Sequence, residues 1–255
     1  MRPRVVKVGG NLADDAGWMR QVAAGIAATA HLPTVVVHGG GKEVSELQRS
    51  LGIEPEWRDG LRVTTPEVLR IVRLVLSGSV NKRWVAALLD AGADAVGISG
   101  EDGALLGATF SQGGALGRTG EVVRVRAELL QGWLAQGLTP VVSPVSRGPD
   151  GEGLNVNADA ASAAVAAALG AGELLFLSDV PGVRRAGEWL DRVDGAGAEA
   201  LLASGEAAGG MRPKLRAALR AAGGGAERVR IGDVEMLTDD NAGTLLTLEA
   251  VHAGC

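Results

Sequence analysis

The chain of 255 residues has one cysteine, Cys255, three histidines, two phenylalanines and no tyrosine, and only four of its 25 basic residues are lysines. Each scarcity excludes something. A lone cysteine at the end permits no disulfide framework and no cysteine-built metal site within one chain, and it reads as a frayed terminal residue. His31, His38 and His252 fall in no H-E-x-x-H pattern, so there is no signature of a histidine-built zinc site. With aromatics at 3%, the core must be filled by Val, Leu, Ile and Ala, and the 46% hydrophobic content supplies it. No stretch approaches the roughly 20 apolar residues of a membrane-spanning helix. The N-terminus enters a strand without the basic-then-apolar pattern of a secretory signal, so a cytoplasmic enzyme is the expectation. The net charge of −5 argues against a nucleic-acid partner. Any anionic substrate must therefore be held by local cations.

What is present is glycine in informative places. Val5-Val6-Lys7-Val8-Gly9-Gly10 and Val35-Val36-Val37-His38-Gly39-Gly40-Gly41 are apolar β-branched runs ending in glycine turns. Such turns let backbone N–H groups converge on an anion, and a helix starting just beyond adds its positive end. Two of them early in the chain point to two anionic groups, phosphate or carboxylate, held near each other. The P-loop and G-x-G-x-x-G signatures are both absent, which removes the nicotinamide-dependent oxidoreductases.

Apolar runs alternate with helical patterns along the whole chain, the mark of parallel βαβ units. Strands are expected at Arg4–Val8, Thr34–His38, Asp94–Ser99, Thr139–Val145, Glu173–Ser178, Arg228–Ile231 and Thr244–Leu248. Helices are expected at Trp18–Ala30, Lys42–Leu51, Pro66–Ala91, Ala127–Gln136, Asp159–Leu169, Ala196–Ala203 and Pro213–Ala222. The glycine-rich stretch Ala104–Arg126 reads as hairpins, and Ser146–Gly153 as a polar turn. Ligands of open α/β sheets sit at the carboxyl ends of the strands, where both glycine turns, Ser99-Gly100 and Ser178-Asp179 fall.

Three further motifs and one arginine have two readings each. Arg62, in Gly60-Leu61-Arg62-Val63-Thr64, is either a solvated arginine or a two-pronged clamp for a carboxylate. In Asn155-Val156-Asn157-Ala158-Asp159, Asp159 either caps the next helix or belongs to a polar cluster larger than a cap needs. Ser178-Asp179-Val180-Pro181-Gly182 is a turn that could hold ribose or base. Gly209-Gly210-Met211-Arg212-Pro213-Lys214 places a rare lysine in the first turn of a helix, as a surface residue or as an anion site. Lys82, in the middle of a helix beside Arg83, reads as solvated or interfacial.

Taken in order, K-V-G-G, V-H-G-G-G, G-L-R-V-T, N-K, G-I-S-G-E-D-G, P-V-V-S-P, N-V-N-A-D, L-S-D-V-P-G-V, G-G-M-x-P-K and a late G-T resemble the N-acetylglutamate kinases of the amino-acid kinase superfamily, from about Arg4 to Leu248. The resemblance implies an α/β fold, a three-layer αβα sandwich around a mainly parallel open sheet with a β-hairpin lid. It implies an N-terminal lobe over residues 1–172 for the acyl substrate and dimerisation, and a C-terminal lobe over 173–255 for ATP. The implied reaction moves a phosphoryl group from ATP to the side-chain carboxylate of N-acetyl-L-glutamate, a step of arginine biosynthesis, with Mg²⁺ carried by the phosphates.

By the same resemblance Lys7, Lys214, Asp159, Gly10 and Gly40 are catalytic. Gly40, Gly41, Arg62 and Asn155 bind the acceptor. Lys7, Gly9, Gly10, Ser178, Asp179, Gly209, Gly210, Met211 and Lys214 meet the nucleotide. The chain lacks the extra N-terminal helix of hexameric members, which leads to the expectation of a homodimer insensitive to arginine. The run Ile231–Thr238 is shorter than the resemblance predicts, so the resemblance does not fix the local geometry on the nucleotide side. A kinase of carrier-bound aminoadipate or glutamate in lysine biosynthesis shares the fold and the chemistry. A non-catalytic amino-acid sensor on the same fold is the alternative of another class, against which the retention of Lys7, Asp159 and Lys214 stands.

Overall fold

Side-chain alternation within the strands sets the layering. In Arg4–Val8 (β1) and Thr34–His38 (β2), Val5, Val35 and Val37 join one hydrophobic cluster while Val6, Val8 and Val36 join another. A strand buried on both faces needs helices on both sides of its sheet. The computed structural model describes residues 1–9 and 15–248, and it has this three-layer arrangement.

After β1 comes α1 (Ala16–Ala28), capped by Asp15, whose carboxylate accepts from the Trp18 amide at 2.8 Å. β2 leads through the glycine turn into α2 (Gly41–Ser50). A short antiparallel pair, β3 (Trp57–Arg58) and β4 (Leu61–Arg62), precedes α3 (Pro66–Val72), a π-helical stretch Arg73–Val80 and α4 (Asn81–Asp90). Then follow β5 (Ala95–Gly100), the hairpin of β6 (Leu106–Phe110) and β7 (Thr119–Val125), α5 (Ala127–Ala135), β8 (Thr139–Arg147), β9 (Gly153–Val156) and α6 (Ala158–Leu169). The chain continues with β10 (Glu173–Leu177), a hairpin of β11 (Val183–Arg185) and β12 (Glu188–Leu190), β13 (Arg192–Asp194), α7 (Gly195–Ser204), α8 (Met211–Gly223), β14 (Val229–Gly232) and β15 (Thr244–Thr247).

The heart of the sheet is parallel, in the order β14-β10-β1-β2-β8-β5. β15 runs antiparallel along β14. At the other side the far half of β8 pairs with β9, and the β6–β7 hairpin joins through them. One face packs against α5, α6, α7 and α8, and the other against α1, α3, the π-helical stretch and α4. On that second face Trp18 and Trp84 meet edge to face at 5.9 Å.

Three expectations change. The single helix expected over Pro66–Ala91 is interrupted by the π-helical stretch, whose extra residue per turn re-phases the chain. The re-phasing sets Leu76 and Val80 against Gly40 and starts α4 with the buried Asn81 facing the sheet. The polar turn shrinks to residues 148–152, because β8 runs on to Arg147 and β9 starts at Gly153. The short run Ile231–Thr238 forms the end of β14 and a 3₁₀ turn, Val234–Leu237. Arg230, 2% exposed, anchors that turn. It donates to the carbonyls of Met236 at 2.9 Å, Asp239 at 2.7 Å and Ala242 at 2.9 Å, and its Nε reaches Glu173 at 2.9 Å.

Phe176 is fully buried in β10 within the cluster that joins α6 and α8 to the sheet. Phe176→Ala is expected to cost about 3–5 kcal/mol in urea unfolding. A loss below about 1 kcal/mol would mean that this layer repacks freely.

Candidate active site

At the carboxyl ends of the central strands, a buried ion pair joins the two halves of the chain. Lys7 is the fourth residue of β1 and points to the same face as Val5, toward α6. Its Nζ lies 2.8 Å from Asp159 Oδ1, with both side chains under a tenth exposed. Asp159 is free to make this contact because it is not the cap of α6. Asn157 takes that role, its Oδ1 accepting from the amides of Asp159 at 2.8 Å and Ala160 at 3.2 Å. Of the two readings of Asp159, the helix cap is not observed, since Asn157 takes that place, and the carboxylate turns instead to Lys7.

Around the pair lies a pocket of about 190 Å³, lined among others by Lys7, Gly40, Gly41, Arg62, Asn155 and Asp159. The glycine turns owe their sequence to space. A Cβ on Gly9 would stand 2.9 Å from Lys7 Nζ. On Gly40, at φ +151°, it would stand 2.7 Å from Leu76 Cδ2 and 3.1 Å from Val80 Cγ2. Gly10 lies outside the described residues.

Arg62 is 5% exposed and is not the solvated arginine of the bland reading. Its Nη2 donates to the Gly41 carbonyl and to Ser45 Oγ, both at 2.8 Å, and its Nη1 to Gln48 Oε1. The ring of Trp57 stacks on the guanidinium at 4.4 Å. No carboxylate among the described residues is within ion-pair distance of it. Burial, with a smaller push from Arg49, lowers its pKa to about 10. A buried cation of this kind is complementary to a ligand carboxylate. Asn155 completes this wall, its Nδ2 donating to Thr64 Oγ1 at 3.0 Å. Thr119 bridges the Arg62 carbonyl and Thr64 Oγ1.

Lys214, in the first turns of α8, is 5% exposed, and its Nζ donates to the Gly210 carbonyl at 3.3 Å. Burial first, then Lys7, lowers its pKa to about 8, against the opposing pull of Asp159 and Asp179. The two lysines and Asp159 are thus within electrostatic reach of one another. Gly210 caps α8 without a side chain, so the first amides of that helix are not consumed by a side-chain cap. Ser178 directly follows β10 and donates to Asp179 Oδ1 at 3.2 Å, while its amide bonds the Gly232 carbonyl at 2.7 Å. A wider cleft of about 860 Å³ runs along α8, with Gly209, Gly210, Arg212 and Arg216 on one wall and Asp59, Gly60 and Glu121 on the other. Met211 is half-buried beside it.

The sequence reading missed Trp57, Ser45, Gln48, Thr64 and Thr119. Trp57 carried a signal, being a rare aromatic five residues before Arg62. The others are ordinary polar residues whose roles come from distant contacts. Lys82, read as solvated or interfacial, is exposed and bonded, donating to Asn81 Oδ1 at 3.1 Å and to the Gly97 carbonyl at 3.2 Å.

Residues 2–233 match the Amino acid kinase family. The chain belongs to that family. A protein of Roseiflexus sp. (strain RS-1) called acetylglutamate kinase is 46% identical over 247 residues, which is 96% of this chain and 93% of that protein. Among solved structures, smu.665 from Streptococcus mutans UA159 superimposes with a TM-score of 0.85 at 25% identity, over 96% of this chain and 98% of that one. N-acetylglutamate synthase from Neisseria gonorrhoeae, solved with coenzyme A and N-acetyl-glutamate, gives 0.84 at 25% identity, over 98% of this chain and 60% of that one. The amino acid kinase fold and its mostly parallel sheet are therefore shared over nearly the whole chain.

Lys7→Met leaves the Asp159 carboxylate buried without its cation and is expected to cost about 3–5 kcal/mol of stability. Adding Asp159→Asn should recover part of that loss in urea unfolding. Purely additive losses would show that the two residues do not act as a pair.

Proposed function

We propose that this chain is an acetylglutamate kinase, transferring the γ-phosphoryl group of ATP to the side-chain carboxylate of N-acetyl-L-glutamate. The observation that carries the reading is the buried, carboxylate-free Arg62 in the same pocket as the Lys7–Asp159 pair. A dicarboxylate matches two cations lining one pocket, with its α-carboxylate on Arg62 and its reacting carboxylate toward Lys7. The name of the Roseiflexus relative supports the same substrate.

The acceptor carboxylate is already ionised at neutral pH, so no general base is required. Its oxygen forms the new bond to phosphorus as the bond from phosphorus to the ADP oxygen breaks, giving an acyl phosphate and ADP. What the protein must supply is position and neutralisation of charge on the transferring group. Lys7 meets that group from the acceptor side and Lys214 from the nucleotide side, and Asp159 fixes both ammonium groups. Backbone amides of Gly9, Gly10 and Gly40 donate to phosphoryl oxygens. Gly41 and Asn155 hold the acetamido end. Ser178, Asp179 and Gly209 to Met211 line the nucleotide.

Among the described residues no group of three or more His, Cys, Asp or Glu is placed to hold a metal ion, and Asp159 is committed to Lys7. That donor set fits Mg²⁺ held by the phosphates of ATP, where it would neutralise their charge. Residues 1–172 would then hold the acceptor and make a homodimer, and residues 173–255 would hold the nucleotide. No helix among the described residues is long and apolar enough to cross a membrane.

The test is ADP release with Mg-ATP and N-acetyl-L-glutamate, with hydroxylamine trapping the acyl phosphate. Saturable, trappable turnover is expected, and ATP binding without a trappable product would overturn the reading. Lys7→Ala should lower kcat about 100-fold or more with little change in KM. Arg62→Ala should chiefly raise KM for the acylated amino acid, by roughly 10- to 100-fold. The reverse pattern would exchange the two roles.

Lys214, with its pKa lowered to about 8, carries its ammonium below that pH and loses it above. ATP affinity should therefore weaken as pH rises through about 8, with a proton taken up on binding at higher pH. Lys214→Arg should flatten the profile, since guanidinium stays charged. An affinity in the parent enzyme that is constant from about pH 7 to 9 would show that Lys214 keeps its charge over that range and would overturn this pH dependence.

A further inference from the structure

His38 ends β2 directly before the glycine turn and is fully buried. It sits on the face of the sheet opposite Lys7, since Lys7 registers with Val37 and His38 with Val8. Its two ring nitrogens have unlike partners. Nε2 lies 3.1 Å from Asn81 Nδ2, and Nδ1 lies 2.9 Å from the carbonyl oxygen of Gly39.

The orientation of the Asn81 amide is settled from two sides. Its Oδ1 accepts from Lys82 Nζ at 3.1 Å, and its Nδ2 donates to the Val141 carbonyl at 2.9 Å, with the Ile98 carbonyl at 3.3 Å. Asn81 is itself fully buried, and a Cβ on Gly97 would come within 2.1 Å of its Oδ1. An amide nitrogen only donates, so Nε2 of His38 must accept, and the ring's one hydrogen is on Nδ1. That hydrogen goes to the Gly39 carbonyl. Burial, with Arg83 and Lys82 nearby, keeps the ring neutral, its pKa lowered to about 4 despite the opposing Gly39 bond.

A trans peptide carries its C=O and the next N–H on opposite sides. With the Gly39 carbonyl drawn back to His38, the N–H of Gly40 points the other way, toward the face that carries Lys7 and Asp159. Leu76 and Val80 of the π-helical stretch occupy the space that a Cβ on Gly40 would need, so the turn admits only glycine there.

We propose that His38, fixed as its Nδ1–H tautomer by Asn81, is a positioning residue that aims the Gly40 amide at the transferring phosphoryl group. It acts through the peptide between Gly39 and Gly40 and touches no substrate. The part about phosphoryl transfer rests on the kinase reading. The part about the tautomer and the peptide does not.

Two variants separate the hydrogen bonds. In His38→Asn the amide nitrogen can occupy the place of Nδ1 and keep the bond to Gly39. In His38→Gln the amide reaches the place of Nε2, keeping Asn81 and losing Gly39. His38→Gln is expected to lower kcat by about 10- to 100-fold with both KM values nearly unchanged, while His38→Asn retains most of kcat. Thermal unfolding of the two should shift alike. Equal kcat in the two variants, or losses that follow their unfolding temperatures, would overturn the positioning role.

The second measurement needs no turnover. Long-range ¹⁵N–¹³C correlation in the histidine-labelled full chain, with His38 assigned from its loss in His38→Asn, should show the hydrogen on Nδ1 at neutral pH. An Nε2–H or doubly protonated ring would overturn the proposal. If the parent chain failed to phosphorylate N-acetyl-L-glutamate and yet showed the Nδ1–H ring, the kinase reading would fall while the orientation of the glycine turn stood.

Discussion

The contact on which the rest depends is the ion pair between Lys7 and Asp159. Taking an ammonium and a carboxylate out of water is expensive, and their mutual attraction returns that cost only with good geometry. Here the partners come from β1 and the first turn of α6, about 150 residues apart in sequence. The pair fixes α6 over the end of the central strand. It also sets a strong local field where the two glycine turns meet, and Lys214 arrives at the same field from α8. An acidic chain, at −5 overall, thereby concentrates three buried cations, Lys7, Arg62 and Lys214, at one end of its sheet. A polyanion is attracted to that end by local arrangement and not by net charge.

Much of this was legible in the sequence because the parallel core obeys simple rules. All six central strands appear as short apolar runs whose expected ends agree with the structure to within two residues. Lys7 and Lys214 stood out because lysine is scarce against arginine. Other features depend on tertiary context that local patterns do not carry. The Arg62 environment is made by α2 and Trp57, and apart from that nearby tryptophan nothing in the local sequence announces its burial. The helix cap falls two residues before Asp159, at Asn157, a choice that the sequence pattern did not make. The π-helical stretch is invisible to a 3.6-residue periodicity, because its purpose is to break that period between Val72 and Asn81. The strands β3, β4, β11, β12 and β13 are two or three residues long, too short to show alternation.

The π-helical stretch and the glycine turn explain each other. A regular helix over Pro66–Ala91 would satisfy its own backbone, and its side chains would meet the sheet in a different phase. The re-phased stretch gives up that regularity and in return places Leu76 and Val80 on Gly40, and Asn81 beneath His38. Local irregularity is costly and persists where the surroundings over-determine it. Here the surroundings are the backbone carbonyls of Ile98 in β5 and Val141 in β8 on one side and a turn without side chains on the other.

The scarcity of aromatics has an optical consequence. The chain has five tryptophans and no tyrosine, so its near-ultraviolet emission is that of indole alone. Trp18 and Trp84 are sealed against each other in the core. Trp57 and Trp189 are about half exposed, and each lies over an arginine: Trp57 on Arg62 at 4.4 Å, and Trp189 on Arg184 at 5.3 Å in the β11–β12 hairpin. The first stack belongs to the pocket itself. A carboxylate engaging Arg62 changes the charge directly beneath that indole ring, so the protein carries its own fluorophore for acceptor binding, with no label added.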